Sequence, residues 1–164
     1  MGGSQLEIEY DNMAERHEMY AKYGIAAEAA QLFETELGTL LLCLQALGEG
    51  WHLRPDGVAS RQFLNTIDRS TLGKLLNNLK RHIEIEGDVD KSFSAALQSR
   101  NNLMHGFFER HNFGIQTKEG SKVMIAELDE LHDTLFSAWQ TASQFKKIMS
   151  MALQVGAGSR TDGS

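Results

Sequence analysis

The stretch SRNNLMHGFF, residues 99–108, places an arginine and a histidine five positions apart in a segment with helical spacing. Histidine can accept or donate a proton near neutral pH, because the ordinary pKa of its imidazole lies in that range. Arginine keeps its positive charge in proteins, and an unpaired buried charge costs several kcal/mol. Arg100 and His105 are therefore the two residues whose types and spacing point most directly to chemistry.

Arg100 lies near the centre of the apolar face of its predicted helix, at about 100° per residue, whereas Asn101 and His105 share one shoulder of that face. Three explanations remain open for the arginine. It pairs with a buried carboxylate, for which Glu34 on the apolar face of the first predicted helix is the candidate. Its charged end reaches water while its stem fills space. Or the face lines a cleft in which Arg100 meets a substrate or partner.

The sequence carries no pattern typical of a metal or cofactor site. Cys43 is the only cysteine, which excludes an internal disulfide and a zinc site built from cysteines. The six histidines do not stand at a metal-ligand spacing, and no glycine-rich phosphate loop or nucleophile elbow is present. We predict neither a bound metal nor a cofactor.

The charge of the chain is unevenly distributed. Its net charge of −6 argues against binding nucleic acid through bulk charge. Residues 54–118 nevertheless hold 10 Lys and Arg against 7 Asp and Glu, so the middle of the chain could present a small positive site. The acidic first residues lack the apolar run of a signal peptide, and no stretch approaches the ~20 apolar residues of a membrane span. We expect a cytoplasmic protein without membrane contact.

The elements that position these residues follow from the apolar periodicity, which predicts four amphipathic helices. Their predicted ranges are 12–47, 71–86, 91–111 and 122–153. We predict that Ser70 or Thr71 caps the second of them, whose apolar stripe is Leu72, Leu75, Leu76, Leu79 and Ile83. The short links between them indicate an all-α fold, an up-and-down four-helix bundle. We predict one helical domain over 12–153, after a flexible N-terminal segment 1–11 and before a disordered Gly/Ser-rich tail 154–164.

Two connections separate the predicted helices. Residues 48–70 contain Gly, Pro and Asp-Gly signals that are typical of a loop, with room for some local structure. The segment HNFGIQTKEGSK, residues 111–122, is predicted to be a second connector, with a short extended piece at 114–117.

Residues 100–105, RNNLMH, match the Arg-x4-6-His motif of the HEPN superfamily, including the polar Asn that often follows the arginine. The placement is similar too, because HEPN domains are helical bundles that carry this motif on a late helix followed by another long helix. Residues 23–41, YGIAAEAAQLFETELGTLL, resemble the first helix of small bacterial HEPN-like proteins. The resemblance extends over about residues 12–153.

The resemblance implies a metal-independent endoribonuclease, in which the ribose 2′-OH attacks the neighbouring phosphate and leaves a 2′,3′-cyclic phosphate. In that reading His105 is the general base or acid, and Arg100 stabilises the crowded phosphorane. Asn101 orients the histidine or touches the phosphate, and Glu34 and Asn102 have supporting roles. The motif helices of two HEPN subunits usually meet, so the resemblance also implies a homodimer.

The resemblance further implies a bacterial role in toxin–antitoxin, phage-defence or stress systems, with RNA as substrate and an antitoxin protein as a partner. Phe107 stands where a toxin branch of the family has a modifiable Tyr. Two other readings stay open. The chain could be a non-catalytic HEPN-like module for dimerisation or protein interaction, with Arg100 and Asn101 structural. It could also be an unrelated helical bundle in which residues 99–108 are an ordinary core helix.

Overall fold

The computed structural model describes residues 4–158, apart from the side chains of residues 8–12. All regular elements in that part of the chain are helical, which confirms the predicted all-α class. In chain order they are α1 (Gln5–Glu49), α2 (Gly57–Asp68), α3 (Leu72–His82), α4 (Gly87–Met104), α5 (Phe107–His111), a 3₁₀ helix (Asn112–Gln116) and α6 (Lys118–Gly158).

The first helix starts earlier than its apolar stripe, and the prediction of a start at residue 12 is wrong. Ser4 and Glu7 form a capping box, in which the Glu7 amide donates to Ser4 Oγ at 3.3 Å and the Ser4 amide donates to Glu7 Oε2 at 2.9 Å. This reciprocal pair satisfies two amide donors at the start of α1, so residues 5–11 are helical. Residues 1–3 of the predicted N-terminal segment lie outside the described residues.

The last helix is also longer than predicted. Thr117 caps α6 by accepting a hydrogen bond from the Gly120 amide on its Oγ1, at 3.0 Å. The helix therefore begins at Lys118 rather than at residue 122, and it continues to Gly158 rather than ending at 153. Residues 159–164 of the predicted disordered tail lie outside the described part of the chain.

Between the long helices, the predicted loop 48–70 contains α2. Asp56 caps this helix by accepting from the Ala59 amide at 2.9 Å. Thr71, one of the two predicted caps, caps α3 by accepting from the Lys74 amide. The predicted leucine stripe of α3 is buried, and the helix ends at His82 rather than near residue 86, because Ile83 adopts an extended conformation.

The prediction of one continuous helix over residues 91–111 is wrong about where the helix starts and about its continuity. The helix begins at Gly87. The carboxylates of Asp88 and Asp90 in its first turn interact favourably with the positive end of the helix dipole. It ends at Met104, and α5 follows after a two-residue break. The extended piece predicted at 114–117 is also wrong, since residues 112–116 form the 3₁₀ helix.

The chain divides into two compact units. The first consists of Met1–Gln31 and Ser94–Phe136, and the second of Leu32–Phe93 and Ser137–Ser164. Helices α1, α4 and α6 contribute residues to both units.

The first unit carries the residues of the Arg-x4-6-His motif. Its fully buried apolar side chains come from α1, α4, α5 and α6 and include Met19, Leu103, Phe107 and Leu128. Each such burial contributes roughly 1.5–3 kcal/mol to folding. At the surface of this unit Lys22 and Asp129 form an ion pair at 2.8 Å, and the hydrogen bond and charge of Asp129 raise the pKa of Lys22.

The second unit has its own core, in which the rings of Phe33 and Phe93 pack with centroids 5.4 Å apart. Glu36 is buried in this unit and pairs with Lys146 at 2.7 Å, and this partner compensates for the cost of burying the carboxylate charge. Over the residues that the structure describes, no helix combines the length and the hydropathy that crossing a membrane would require.

Candidate functional site

The end of α4 brings Arg100, Asn101 and His105 together. The Arg100 Nη1 atom lies 3.4 Å from His105 Nε2 and 3.5 Å from Asn101 Oδ1. Both distances are at the long end of hydrogen bonding, so these are loose contacts that a ligand could replace. The three residues that the motif singles out therefore form one cluster.

The backbone explains why this cluster lies at a helix end. The His105 amide still donates to the Asn101 carbonyl at 2.9 Å, as in a helix, but Gly106 turns to a left-handed conformation with φ of 85°. Glycine adopts this conformation without the steric cost that a Cβ atom brings, and it is the usual residue after a helix end. The Gly106 carbonyl then accepts from the Arg110 amide at 2.8 Å and starts α5.

The exposure of these three residues bears on the question of why an arginine lies in the apolar face of α4. Arg100 is partly buried, while Asn101 and His105 are exposed. The guanidinium of Arg100 reaches two residues that face solvent. The exposed imidazole of His105 is accessible to a ligand beside this guanidinium.

The hydrogen-bond roles within the cluster are fixed by chemistry. A guanidinium carries donors only, so His105 Nε2 must act as the acceptor in its contact with Arg100. The tautomer that fits this contact carries the ring proton on Nδ1. Nε2 consequently holds a lone pair next to a permanent cation, which is the arrangement of a proton acceptor beside an anion-binding group.

The two residues predicted to support the cluster stand differently. Asn102 contributes through its backbone, because its carbonyl accepts from Arg110 Nη1 at 2.9 Å. Glu34 belongs to the second unit, where it lines a cavity of about 280 Å³ with residues of α1, α2 and α3. The predicted pairing of Glu34 with Arg100 joins residues of different units and stays a prediction.

Tyr23 holds the end of α4 against α1, a role that the sequence reading missed. Its hydroxyl donates to the Leu103 carbonyl at 3.2 Å, two residues before His105. Its ring packs against Phe107 and Phe108, with centroids 5.7 and 5.2 Å away. The signal in the sequence was a tyrosine on an apolar helix face, since a buried tyrosine hydroxyl usually finds a partner.

Glu127 of α6 holds the other side of the turn. Its carboxylate pairs with Arg110 and with His111, and the Arg110 guanidinium also reaches the Asn102 carbonyl. The ring of His111 packs on Phe107 with centroids 4.8 Å apart. These contacts hold the turn that carries His105 against α6. No sequence pattern connects Glu127 with residues that lie 16 and 17 positions away across a connector.

Among the side chains that the structure describes, no three His, Cys, Asp or Glu residues lie close enough together to hold a metal ion. Cys43 is partly exposed and lines a cavity of about 360 Å³ with Trp51, His52 and Leu153 in the second unit.

Comparison of the chain with protein-family models, with curated proteins and with solved structures gives no match in any of the three. The cluster at the end of α4 offers a permanent cation, an imidazole and an amide. Together these groups can bind a phosphate and move a proton next to it.

Proposed function

We propose that this chain is a metal-independent endoribonuclease of the HEPN type, with its long helices in a HEPN-like up-and-down four-helix bundle. The observation that carries the proposal is the 3.4 Å approach of Arg100 Nη1 to His105 Nε2 at an exposed helix end. It gives the Arg-x4-6-His pattern a geometry in which both side chains can reach one phosphate.

The proposed reaction begins when the substrate phosphate replaces the loose contact between the two side chains. The guanidinium fork then donates to two phosphate oxygens, which a planar cation does better than a point charge. His105 Nε2 accepts the proton of the ribose 2′-OH as the O2′–P bond forms. Arg100 stabilises the charge that builds on the phosphorane oxygens.

The second half of the step breaks the P–O5′ bond. The departing 5′ oxygen takes a proton from water, and the His105 imidazolium returns its proton to solvent. The products are a 2′,3′-cyclic phosphate and a 5′-hydroxyl end. Asn101 keeps the guanidinium in place through its Oδ1, and Asn102 supports the turn through its carbonyl.

The proposal includes a homodimer in which two α4 ends contribute to one composite site, and RNA as the substrate. It also includes a cytoplasmic role in a bacterial toxin–antitoxin, phage-defence or stress system, with an antitoxin protein as regulator. These parts rest on the HEPN resemblance of residues 100–105.

The test is an RNA-cleavage assay in EDTA, with single-stranded RNA and analysis of the product ends. We expect cyclic-phosphate and 5′-hydroxyl ends from the wild type, and at least a 100-fold loss of rate in His105→Ala, since general acid–base catalysis contributes about 10²–10⁴-fold. Because His105 is exposed, its replacement by alanine should not change the thermal unfolding midpoint of the protein.

The matched control is His17→Ala, because His17 is also an exposed histidine on a helix of the first unit. His17→Ala should cleave RNA at the wild-type rate. Because the wild type and the two variants are purified in the same way, a loss of cleavage in His105→Ala alone excludes a contaminating nuclease. Cleavage that persists in His105→Ala, or that needs a divalent metal, would contradict the proposal.

A second candidate function is a non-catalytic module for dimerisation or protein interaction. It is favoured by two neighbouring exposed aromatic side chains, Tyr20 at 53% and Phe108 at 43% exposure, with ring centroids 6.3 Å apart. Exposed aromatic groups of this kind are enriched at protein interfaces. The absence of any His105-dependent cleavage, together with a stable dimer in solution, would select this function.

A further inference from the structure

The second unit contains a groove with a cationic lining, which is formed by residues outside the Arg-x4-6-His motif. It has a volume of about 450 Å³ and is lined by the end of α2 and by α3. Three cations border it, namely Arg69, Lys74 and Arg81, together with the polar side chains of Ser70, Asn77 and Asn78.

The spacing of α3 explains why these side chains share one face. Its leucines at 72, 75, 76 and 79 are buried, so the opposite face is polar. Lys74 and Arg81 are seven residues apart, which is two helical turns, and Asn77 and Asn78 lie between them at the three- and four-residue spacing. Arg69 follows the end of α2 and also lines the groove.

The charge in this groove is not neutralised by carboxylates. Among the described residues that line it, none is acidic, aromatic or fully apolar. In the described part of the chain, neither Arg69 nor Lys74 nor Arg81 forms an ion pair, whereas the adjacent Lys80 is paired with Asp90 at 2.7 Å. Residues 57–82 carry five Lys and Arg and a single Asp in a chain whose net charge is −6.

We infer that this groove binds the phosphodiester backbone of single-stranded RNA. Three cations around a concave surface match successive phosphates of a flexible strand. The asparagine amides can donate to phosphate or sugar oxygens between them. The absence of an aromatic ring among the described lining residues predicts backbone contacts without base stacking, and therefore little sequence preference.

The chemistry of the lining disfavours other anionic partners. A membrane surface or an amphipathic helix would need apolar side chains beside the cations, and the described lining offers none. The choice of RNA over DNA rests on the proposed endoribonuclease function. The groove would then hold the substrate strand through its backbone while the cluster at the end of α4 carries out the reaction.

The test measures binding of a fluorescent single-stranded 2′-O-methyl RNA of about 12 nucleotides, a length that covers typical single-strand sites. The methyl group blocks attack by the 2′ oxygen, so the probe survives. The groove variant is Arg69→Gln, Lys74→Gln and Arg81→Gln combined. The matched control is Arg16→Gln, Arg54→Gln and Lys147→Gln combined, which removes the same charge from exposed residues outside the groove.

Each phosphate contact contributes about 0.7 to the slope of log Kd against log salt for a single strand. We expect the slope of the groove variant to fall by about 2, with Kd at 0.1 M salt weakened at least about tenfold. The control variant should stay close to the wild type in both quantities. Equal weakening in the two variants, or wild-type binding by the groove variant, would overturn the inference.

The same proteins separate this inference from the proposed function. Groove-dependent binding in a wild type that leaves ordinary RNA intact would sustain the groove and reject the nuclease. Cleavage that depends on His105 but not on the groove cations, with unchanged probe binding, would sustain the nuclease and reject the groove. Circular dichroism of each variant verifies that the helices are intact, as expected for changes at exposed or half-exposed surface positions.

Discussion

Arg100 and His105 meet although their spacing does not place them on the same side of a helix. Five residues of a regular helix rotate by about 500°, which leaves the two Cα–Cβ directions about 140° apart. The two side-chain ends nevertheless lie 3.4 Å apart, with His105 directly after the end of α4 at Met104. An arginine side chain is long enough to reach from one side of a helix end to the next.

Asn101 and Asn102 allow a matched test of the cluster at the scale of single residues. Asn101 Oδ1 lies 3.5 Å from Arg100 Nη1, whereas Asn102 acts through its backbone carbonyl, which a substitution keeps. A hydrogen bond to a charged group contributes about 1.5 kcal/mol, and that is about tenfold in rate. We expect Asn101→Ala to lower the cleavage rate about tenfold in single-turnover assays.

Asn102→Ala should retain nearly the full rate in the same assay. Both substitutions remove the same amide from adjacent positions on one helix, so any general effect on α4 should appear in both. An equal loss of rate in the two variants, accompanied by equal shifts of the unfolding midpoint, would refute a specific role for Asn101.

At the scale of elements, the turn between α4 and α5 depends on Gly106. A Cβ atom in the left-handed region costs roughly 1–2 kcal/mol, so Gly106→Ala should lower the free energy of unfolding by about that amount. Because the turn positions the His105 side chain, the cleavage rate should fall as well, even at a temperature where the variant remains folded. Urea unfolding and the cleavage assay measure the two effects separately.

Gly24 provides the control for this substitution. It lies inside α1, and an added Cβ atom would meet no heavy atom within 4 Å. Gly24→Ala should therefore stabilise the protein by roughly 0.5–1 kcal/mol, since alanine favours the helix. A loss of stability in Gly24→Ala, or none in Gly106→Ala, would contradict this account of the two glycines.

The elements also reveal how far the sequence could predict this fold. A cap at Ser70 or Thr71 and the leucine stripe of α3 are predictable because both are local signals, and the structure places the cap at Thr71. The break at Gly106 was missed because the apolar stripe continues through Phe107, although the glycine itself is a helix-end signal. The earlier start of α1 was missed because the Ser4–Glu7 capping box stands ahead of the apolar periodicity.

The site was predictable to the extent that its residues lie on one segment. Arg100, Asn101 and His105 were selected from types and spacing, and the structure brings them together. Tyr23 and Glu127 were not, because their roles arise from tertiary contacts between distant segments that single-sequence patterns do not encode. For the groove, the sequence signal is limited to the excess of Lys and Arg over Asp and Glu in residues 54–118.

At the scale of the whole molecule, the two proposals assign separate tasks to separate surfaces. An acidic protein repels a polyanion at long range, so RNA must be held by short-range contacts where cations are concentrated. Residues 57–82 supply that concentration in the second unit, and the end of α4 supplies the reacting groups in the first. The remaining negative charge would then disfavour binding of RNA elsewhere on the surface.

The proposed composite site makes activity depend on association between two copies of the chain. If two α4 ends must meet, the fraction of competent sites falls once the protein is diluted below the dissociation constant of the dimer. We expect light scattering to give the mass of two chains at micromolar concentration. The rate per chain should then fall on dilution into the nanomolar range, with a carrier protein present to prevent adsorption. A chain that is monomeric at micromolar concentration and cleaves RNA at a constant rate per chain would place the complete site on one copy, and would reject the composite arrangement while leaving His105-dependent cleavage in place.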